Sequence, residues 1–350
     1  MSEHTSSEKD GTRHESVHAR HENDHTHPEI DRVAVVGAGT MGHGIALTFA
    51  VAGHSVSLFD ANETVLAEAA DRVDAVLETF VEHGRIDPEG AVATRRRIEY
   101  DPAIESCVDG ADFVTEAVTE ERTVKHAVFE DLSAYAPAEA ILATNTSGLS
   151  ITAIAEGVEH PERVVGTHWF NPPYVVPLVE VVPGEETADA TVDRTAALLE
   201  RAGKTAVALE TELPGFIANR IQLAMSYEAC SLLDRGVASA AAIDRAVKAS
   251  FGFRLPILGV FEKIDHSGID VEHEVQSYLL SDLDRRTEPS DVLTRLREEG
   301  HFGIKTGRGV YDWSDLDPES VFERRDRALL DQLAVYEAAM DSAEPGLDEG

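Results

Sequence analysis

The 350-residue sequence predicts an α/β chain: a doubly wound parallel sheet followed by a smaller all-α domain. Three observations predict it. A glycine-rich turn, Gly37-Ala38-Gly39-Thr40-Met41-Gly42, joins an apolar run at 33–36 to a helix over 44–51. Five further apolar runs, at 56–59, 112–115, 140–143, 164–167 and 178–182, alternate with helical stretches, as parallel strands require. Beyond Leu213-Pro214-Gly215 the strand signal stops, and helical patterns run over 217–233, 238–251 and 271–283.

The elements follow in order. Residues 1–29 are polar and rich in histidine, cannot repay the entropy of ordering, and are expected to form a disordered tail. His14-Glu-Ser-Val-His18 matches a zinc pattern, but no apolar stripe would dock it as a helix, so no metal site is expected. The G-x-G-x-x-G turn gives each glycine a task. Gly37 makes the tight turn, Gly39 leaves room for a pyrophosphate, and Gly42 lets helix and strand pack closely. Asp60 ends the second strand about 20 residues on, where a carboxylate binds ribose hydroxyls and repels a 2′-phosphate. This is a Rossmann-type unit, and its expected cofactor is NAD. A helix over 66–83, stopped by Gly84, comes next, and Arg95, Arg96 and Arg97 read as a solvated helix end. A last helix is expected over 318–341, with a frayed end. The domains are therefore placed at 30–213 (NAD-binding), 214–313 (all-α, substrate and dimerisation) and 314–350 (acidic helix and tail).

Composition narrows the partners. A formal charge of −35 offers no basic face for nucleic acid. With six lysines among 350 residues, the balance resembles that of a chain kept soluble in concentrated salt, and a halophilic source is expected. Two cysteines, Cys107 and Cys230, are too few for a disulfide scaffold, and no apolar run is long enough for a membrane span. A cytoplasmic protein with a small-molecule substrate and no membrane partner is expected. Asn145-Thr-Ser147 is a glycosylation sequon that such a chain would not use.

His168 follows a strand at the carboxyl edge of the expected sheet, where open α/β folds place ligands, and an imidazole there can be a base near neutral pH. Glu180 lies twelve residues on, after a turn built around Pro172, Pro173 and Pro177, so its strand can return the carboxylate to the imidazole. These residues sit in longer segments: Ala143-Thr-Asn-Thr-Ser147, Gly166-Thr-His-Trp-Phe-Asn171-Pro-Pro, Leu178-Val-Glu-Val-Val, Gly215-Phe-Ile-Ala-Asn219-Arg220 and Gly303-Ile-Lys305-Thr-Gly-Arg-Gly-Val-Tyr311. Together with the dinucleotide turn they resemble the L-3-hydroxyacyl-CoA dehydrogenase family over residues 31–313. The resemblance implies a His168–Glu180 dyad, with Ser147 and Asn219 on the substrate oxygen or orienting nicotinamide and base. It also carries over Glu120, Lys125, Asn171 and Lys305 as cofactor-side contacts, and a homodimer formed through the helical domain.

Two departures bear on the substrate. Where many acyl-CoA-using relatives offer a serine and a lysine to CoA from the helix after Asp60, this chain has Val76 and His83. In the loop Phe251-Gly-Phe-Arg254-Leu-Pro256, much of the family lacks Arg254-Leu-Pro, and Val260 replaces a proline; Arg254 could hold a free carboxylate bidentately. The first reading is an NAD-dependent L-3-hydroxyacyl-CoA dehydrogenase acting in fatty-acid β-oxidation or 3-hydroxybutyryl-CoA metabolism, with His168 as base. The alternatives are a dehydrogenase of a CoA-free 3-hydroxy acid, such as carnitine or a sugar acid, and a non-catalytic NAD-binding protein.

Overall fold

The computed structural model describes residues 30–341. The histidine-rich segment, its His14/His18 pattern and the expected frayed end lie outside them. The first domain is built from β1 (Arg32–Val36), α1 (Gly42–Val51), β2 (Ser55–Phe59), α2 (Glu63–Glu82), α3 (Pro88–Arg96), β3 (Ile98–Asp101), α4 (Ile104–Val108) and β4 (Phe113–Glu116). It continues with α5 (Arg122–Tyr135), β5 (Ile141–Thr144), α6 (Ile151–Ala155), β6 (Val164–Trp169), β7 (Leu178–Pro183), α7 (Asp189–Arg201) and β8 (Thr205–Ala208). One eight-stranded sheet results, in the order β3-β2-β1-β4-β5-β6-β7-β8. Strand order reverses at the β1/β4 boundary, and that crevice is where doubly wound sheets take a dinucleotide.

Side chains alternate across the sheet. Val33 and Val35 enter one core layer with α1 and α2, while Ala34 and Val36 enter the other with α4, α5 and α6. Strands buried on both faces read as unbroken apolar runs, which is why the central ones were visible in the sequence. Two features differ from the sequence reading. β6 and β7 pair antiparallel, with His168 directly opposite Glu180. β3 and β8 are additional edge strands; each has one wet flank, and their alternation is correspondingly weak.

Helix ends follow local chemistry. α2 starts at Glu63, earlier than its apolar periodicity suggests, because Asn62 caps it by accepting the Thr64 amide at 3.0 Å. Gly84, at φ +66°, follows its end. Asp87 caps α3, which carries Arg95 and Arg96 in its last turn; Arg95 pairs with Asp74 of α2 at 2.8 Å.

The second domain comprises α8 (Ala218–Asp234), α9 (Ala240–Ala249), α10 (Phe251–Arg254), α11 (Val260–Ser267), α12 (Ile269–Leu279) and α13 (Asp291–Glu298). The helix expected over 238–251 is broken at Ser250. A long α14 (Pro318–Asp341) then returns to the first domain. Arg85 grips Glu337 of α14 bidentately at 2.6 and 2.7 Å, Arg327 meets Glu82 at 2.7 Å, and Leu330 is buried with Phe80 and Val175. The segment read as an acidic end piece is thus packed across α2. Among the described residues, no helix is long and apolar enough to cross a membrane.

Candidate active site

The dinucleotide turn has the geometry its glycines require. Gly37 stands at φ +104°, where an added Cβ would lie 2.7 Å from the Ala117 carbonyl oxygen, and a Cβ on Gly42 would overlap the Gly37 carbonyl. Around Gly39 a Cβ would meet nothing within 4 Å, so open space remains where a pyrophosphate would pass. α1 begins beside Thr40 and Met41 with no side-chain cap, leaving first-turn N–H groups for phosphate oxygens. Asp60 accepts the Ala38 amide at 2.9 Å through one carboxylate oxygen and the Asn62 amide at 2.8 Å through the other. That fixes the carboxylate at the end of β2, in the ribose position, and its charge disfavours a 2′-phosphate. These residues fit NAD.

At the carboxyl end of β6, His168 is 3% exposed and Glu180 1%. Glu180 Oε2 lies 2.7 Å from His168 Nδ1. A carboxylate accepting there places the proton on Nδ1 and leaves the Nε2 lone pair as the basic site. Phe170 and Phe216 pack against the ring at 4.4 and 5.4 Å, limiting its rotation. The other oxygen of Glu180 accepts the amides of Ile217 and Ala218, both at 2.9 Å. Those amides point inward because Gly215 and Phe216 are both left-handed, at φ +78° and +50°, which turns the chain sharply before α8. Burial pushes the Glu180 carboxyl up, but hydrogen bonds from His168, Ala218 and Ile217 outweigh it and hold the group below the usual carboxylate range. The dyad is therefore completed by the first turn of the second domain.

Asn219, on that same turn, donates from Nδ2 to the Ser147 carbonyl at 3.2 Å and sits 3.5 Å from His168 Nε2. Ser147 is exposed beside it, on the loop after β5. Glu120 anchors that loop, accepting the Thr146 hydroxyl and the Ser147 amide, each at 2.7 Å. His168, Glu180, Ser147 and Asn219 are thus one connected set, and Glu120 is its support.

Lys125 differs from the cofactor-side placement that the family resemblance implied. It is fully buried, with Nζ 2.8 and 3.1 Å from the two oxygens of Glu116 and 3.4 Å from Glu120, so it reaches the site only through Glu120. Asn171 is exposed just past β6, at a cis peptide bond to Pro172. Lys305 stands in the helical domain with Nζ 5.6 Å from the Phe302 ring, and Arg254 is exposed at the end of α10; neither belongs to the hydrogen-bonded set around His168. Sequence reasoning missed Glu116, which also accepts the Thr144 hydroxyl at 2.6 Å, and Asn145, whose Oδ1 accepts the Trp169 amide at 3.0 Å. The only signal for either was its place at a strand end.

Comparison with known proteins agrees with this geometry. Residues 32–212 match the NAD binding domain of 3-hydroxyacyl-CoA dehydrogenase, and 215–313 match its C-terminal domain. The chain is 32% identical over 309 residues to 5-formyl-3-hydroxy-2-methylpyridine 4-carboxylate 5-dehydrogenase of Mesorhizobium japonicum, covering 88% of this chain and 99% of that one. It is 36% identical over 288 residues to a probable 3-hydroxybutyryl-CoA dehydrogenase of Bacillus subtilis, covering 82% and 99%. A crystal structure of the pyridine-carboxylate enzyme, described as an NAD+-dependent dismutase, superposes with a TM-score of 0.82 at 31% identity, covering 88% of this chain and 99% of that one. With both halves matched in order and the dinucleotide turn intact, the chain belongs to the 3-hydroxyacyl-CoA dehydrogenase family of NAD-dependent oxidoreductases acting on CH–OH groups.

Proposed function

We propose that the protein interconverts an L-3-hydroxyacyl-CoA and its 3-ketoacyl-CoA, with His168 as general base. The carrying observation is a buried imidazole with Nδ1 tied to Glu180 and Nε2 left as the basic nitrogen, at the carboxyl end of the same sheet whose β1 leads into the dinucleotide turn. NAD held by the Gly37–Gly42 turn and Asp60 would accept the hydride from C3 in oxidation and return it in reduction. As the hydride leaves carbon, the hydroxyl proton moves to His168 Nε2, and Glu180 stabilises the imidazolium that forms. Ser147 and Asn219 polarise the substrate oxygen without titrating themselves. The thioester form is supported by the relatives named for CoA substrates.

One observation favours a CoA-free carboxylic acid instead. α14 covers α2 along Val76, Phe80 and Glu82, and His83 turns its Nδ1 to the Thr79 carbonyl at 2.9 Å. The face that offers CoA contacts in many relatives is here occupied by the chain's own helix, and the Mesorhizobium relative is named for a pyridine carboxylate. Under that reading Arg254 is the carboxylate partner. NADH oxidation in molar KCl separates the two: acetoacetyl-CoA is expected to be reduced and free acetoacetate not, and the reverse result would transfer the function to the second reading.

We also propose a homodimer. α9, α10, α11 and α12 contain no buried residue, and Phe253, Phe261 and Ile269 are 76%, 81% and 68% exposed. Apolar surface on that scale marks an interface, and a second copy is the occupant this reading assigns to it. Sedimentation in molar KCl is expected to give twice the 37.9 kDa chain mass; a monomer would overturn the assignment. The lysine-poor acidic composition and the two free thiols support a salt-rich, reducing cytoplasm.

A further inference from the structure

The turn between β6 and β7 carries an imbalance of hydrogen-bonding groups. Residues 170–177 connect the two halves of the dyad, and three of them, Pro172, Pro173 and Pro177, bring carbonyls but no N–H. The Pro172 carbonyl is satisfied locally by the amides of Val175 and Val176, at 3.1 and 3.0 Å. Beyond one long bond from the Thr48 hydroxyl of α1 to the Pro173 oxygen, at 3.5 Å, the carbonyls of Pro173 and Val176 need donors from elsewhere, because unmatched buried carbonyls are costly.

Lys204 supplies them. Its Nζ lies 2.6 Å from the Pro173 oxygen and 3.1 Å from the Val176 oxygen, with the Trp169 ring centroid at 5.6 Å. The residue is 8% exposed. Its backbone is fixed by the end of α7: Gly203, at φ +75°, donates to the Glu200 carbonyl and Lys204 to the Leu199 carbonyl, a Schellman pairing that starts β8. An ammonium has three donors and no acceptor, which matches a segment with surplus acceptors. Burial, with the Arg85 charge adding to it, lowers the pKa of the Lys204 ammonium to about 8. The turn also touches the cofactor helix, since a Cβ on Gly44 of α1 would lie 2.6 Å from the Pro173 ring.

We propose that Lys204 is a positioning residue for the His168–Glu180 pair, holding the proline-rich turn so that the two strands keep the register in which Nδ1 and Oε2 meet. This rests on the reading of that pair as the reacting base and its orienting acid. In an antiparallel pair a one-residue slip moves Glu180 to the opposite face of the sheet, and smaller shifts lengthen the Nδ1–Oε2 bond.

The test replaces Lys204 by Met, and separately by Gln, which brings an acceptor oxygen of its own to a turn short of donors. Turnover with NADH is expected to fall roughly tenfold or more, as for other misplacements of reacting groups, while NADH binding is unchanged. The hydrogen-bonded Nδ1 proton of His168, read in ¹⁵N-histidine-labelled protein, is expected to move upfield together with a shifted acid limb of the pH–rate profile. Lower thermal stability with the Nδ1 signal, the limb and turnover all intact would reduce Lys204 to a packing role and overturn the proposal. If the Met variant does not fold, the Gln variant decides by the same readouts. The underlying reading fails separately, when the wild-type protein lacks the Nδ1 signal and the His168→Ala variant keeps its turnover.

Discussion

His168→Ala is expected to lower turnover roughly 10²–10⁴-fold, the range general-base catalysis commonly supplies, while NADH binds as in the wild type. The size follows from what the ring alone provides. Nδ1 is committed to Glu180 and Nε2 is the nitrogen left to act as base, with the Asn219 amide 3.5 Å away. Neither Ser147 nor Asn219 can accept a proton near neutral pH, so neither substitutes for the lost base. NADH binding should survive because Gly37, Gly39 and Gly42 lie in the turn from β1 into α1 and Asp60 just past β2, and both strands are separated from β6 in the sheet order. Glu180→Gln is the informative partner. It keeps the strand geometry but removes the charge that stabilises an imidazolium, so its turnover should fall less than that of His168→Ala. Steady-state turnover with fluorescence titration of NADH checks both. Unchanged turnover in His168→Ala would remove the proposed base.

How far the sequence reached depended on whether a residue's partner was local. The dinucleotide unit was legible because every part of it, from the Gly37 turn to Asp60, is contiguous, and Gly37 and Gly42 answer steric demands that the structure reproduces. Glu180 was reachable because Pro172, Pro173 and Pro177 imply a reversal, and a strand with the right parity brings the carboxylate back opposite His168. β3 and β8 were not legible, because an edge strand with one wet flank lacks the continuous apolar run that betrays a central one. Nor was the second half of the Glu180 environment. The amides of Ile217 and Ala218 arrive from a different domain, through two left-handed residues whose conformation is not encoded in any periodicity. Lys125 shows the same limit from the other side. Its position on α5 says nothing about facing inward, and its fate is decided by the end of β4, where Glu116 has no other cation partner among the described residues.

That buried pair carries the largest expected effect on stability. Lys125→Met is predicted to destabilise the protein by about 3–5 kcal/mol, the usual cost of leaving one member of a buried ion pair alone. Glu116 is wholly inaccessible, and without the ammonium its charge keeps only the Thr144 hydroxyl at 2.6 Å and the Val118 amide at 2.7 Å. Screening by molar salt should not rescue it, since a charge sealed from solvent is also sealed from the ions. Removing both charges tests the mechanism: in Lys125→Met with Glu116→Gln, much of the loss should return, because a neutral amide costs far less to bury than an unpaired carboxylate. Thermal unfolding in molar KCl reads this as a drop in Tm on the order of 10 °C for the single variant, largely reversed in the double. Turnover should not recover in parallel. Glu120 would still lack the Lys125 charge 3.4 Å away, and Glu120 holds the Thr146–Ser147 loop against the substrate site. Stability restored without activity would separate the two tasks of this one lysine, neutralising Glu116 and steadying the loop beside His168. A double variant as unstable as the single one would refute the ion-pair account.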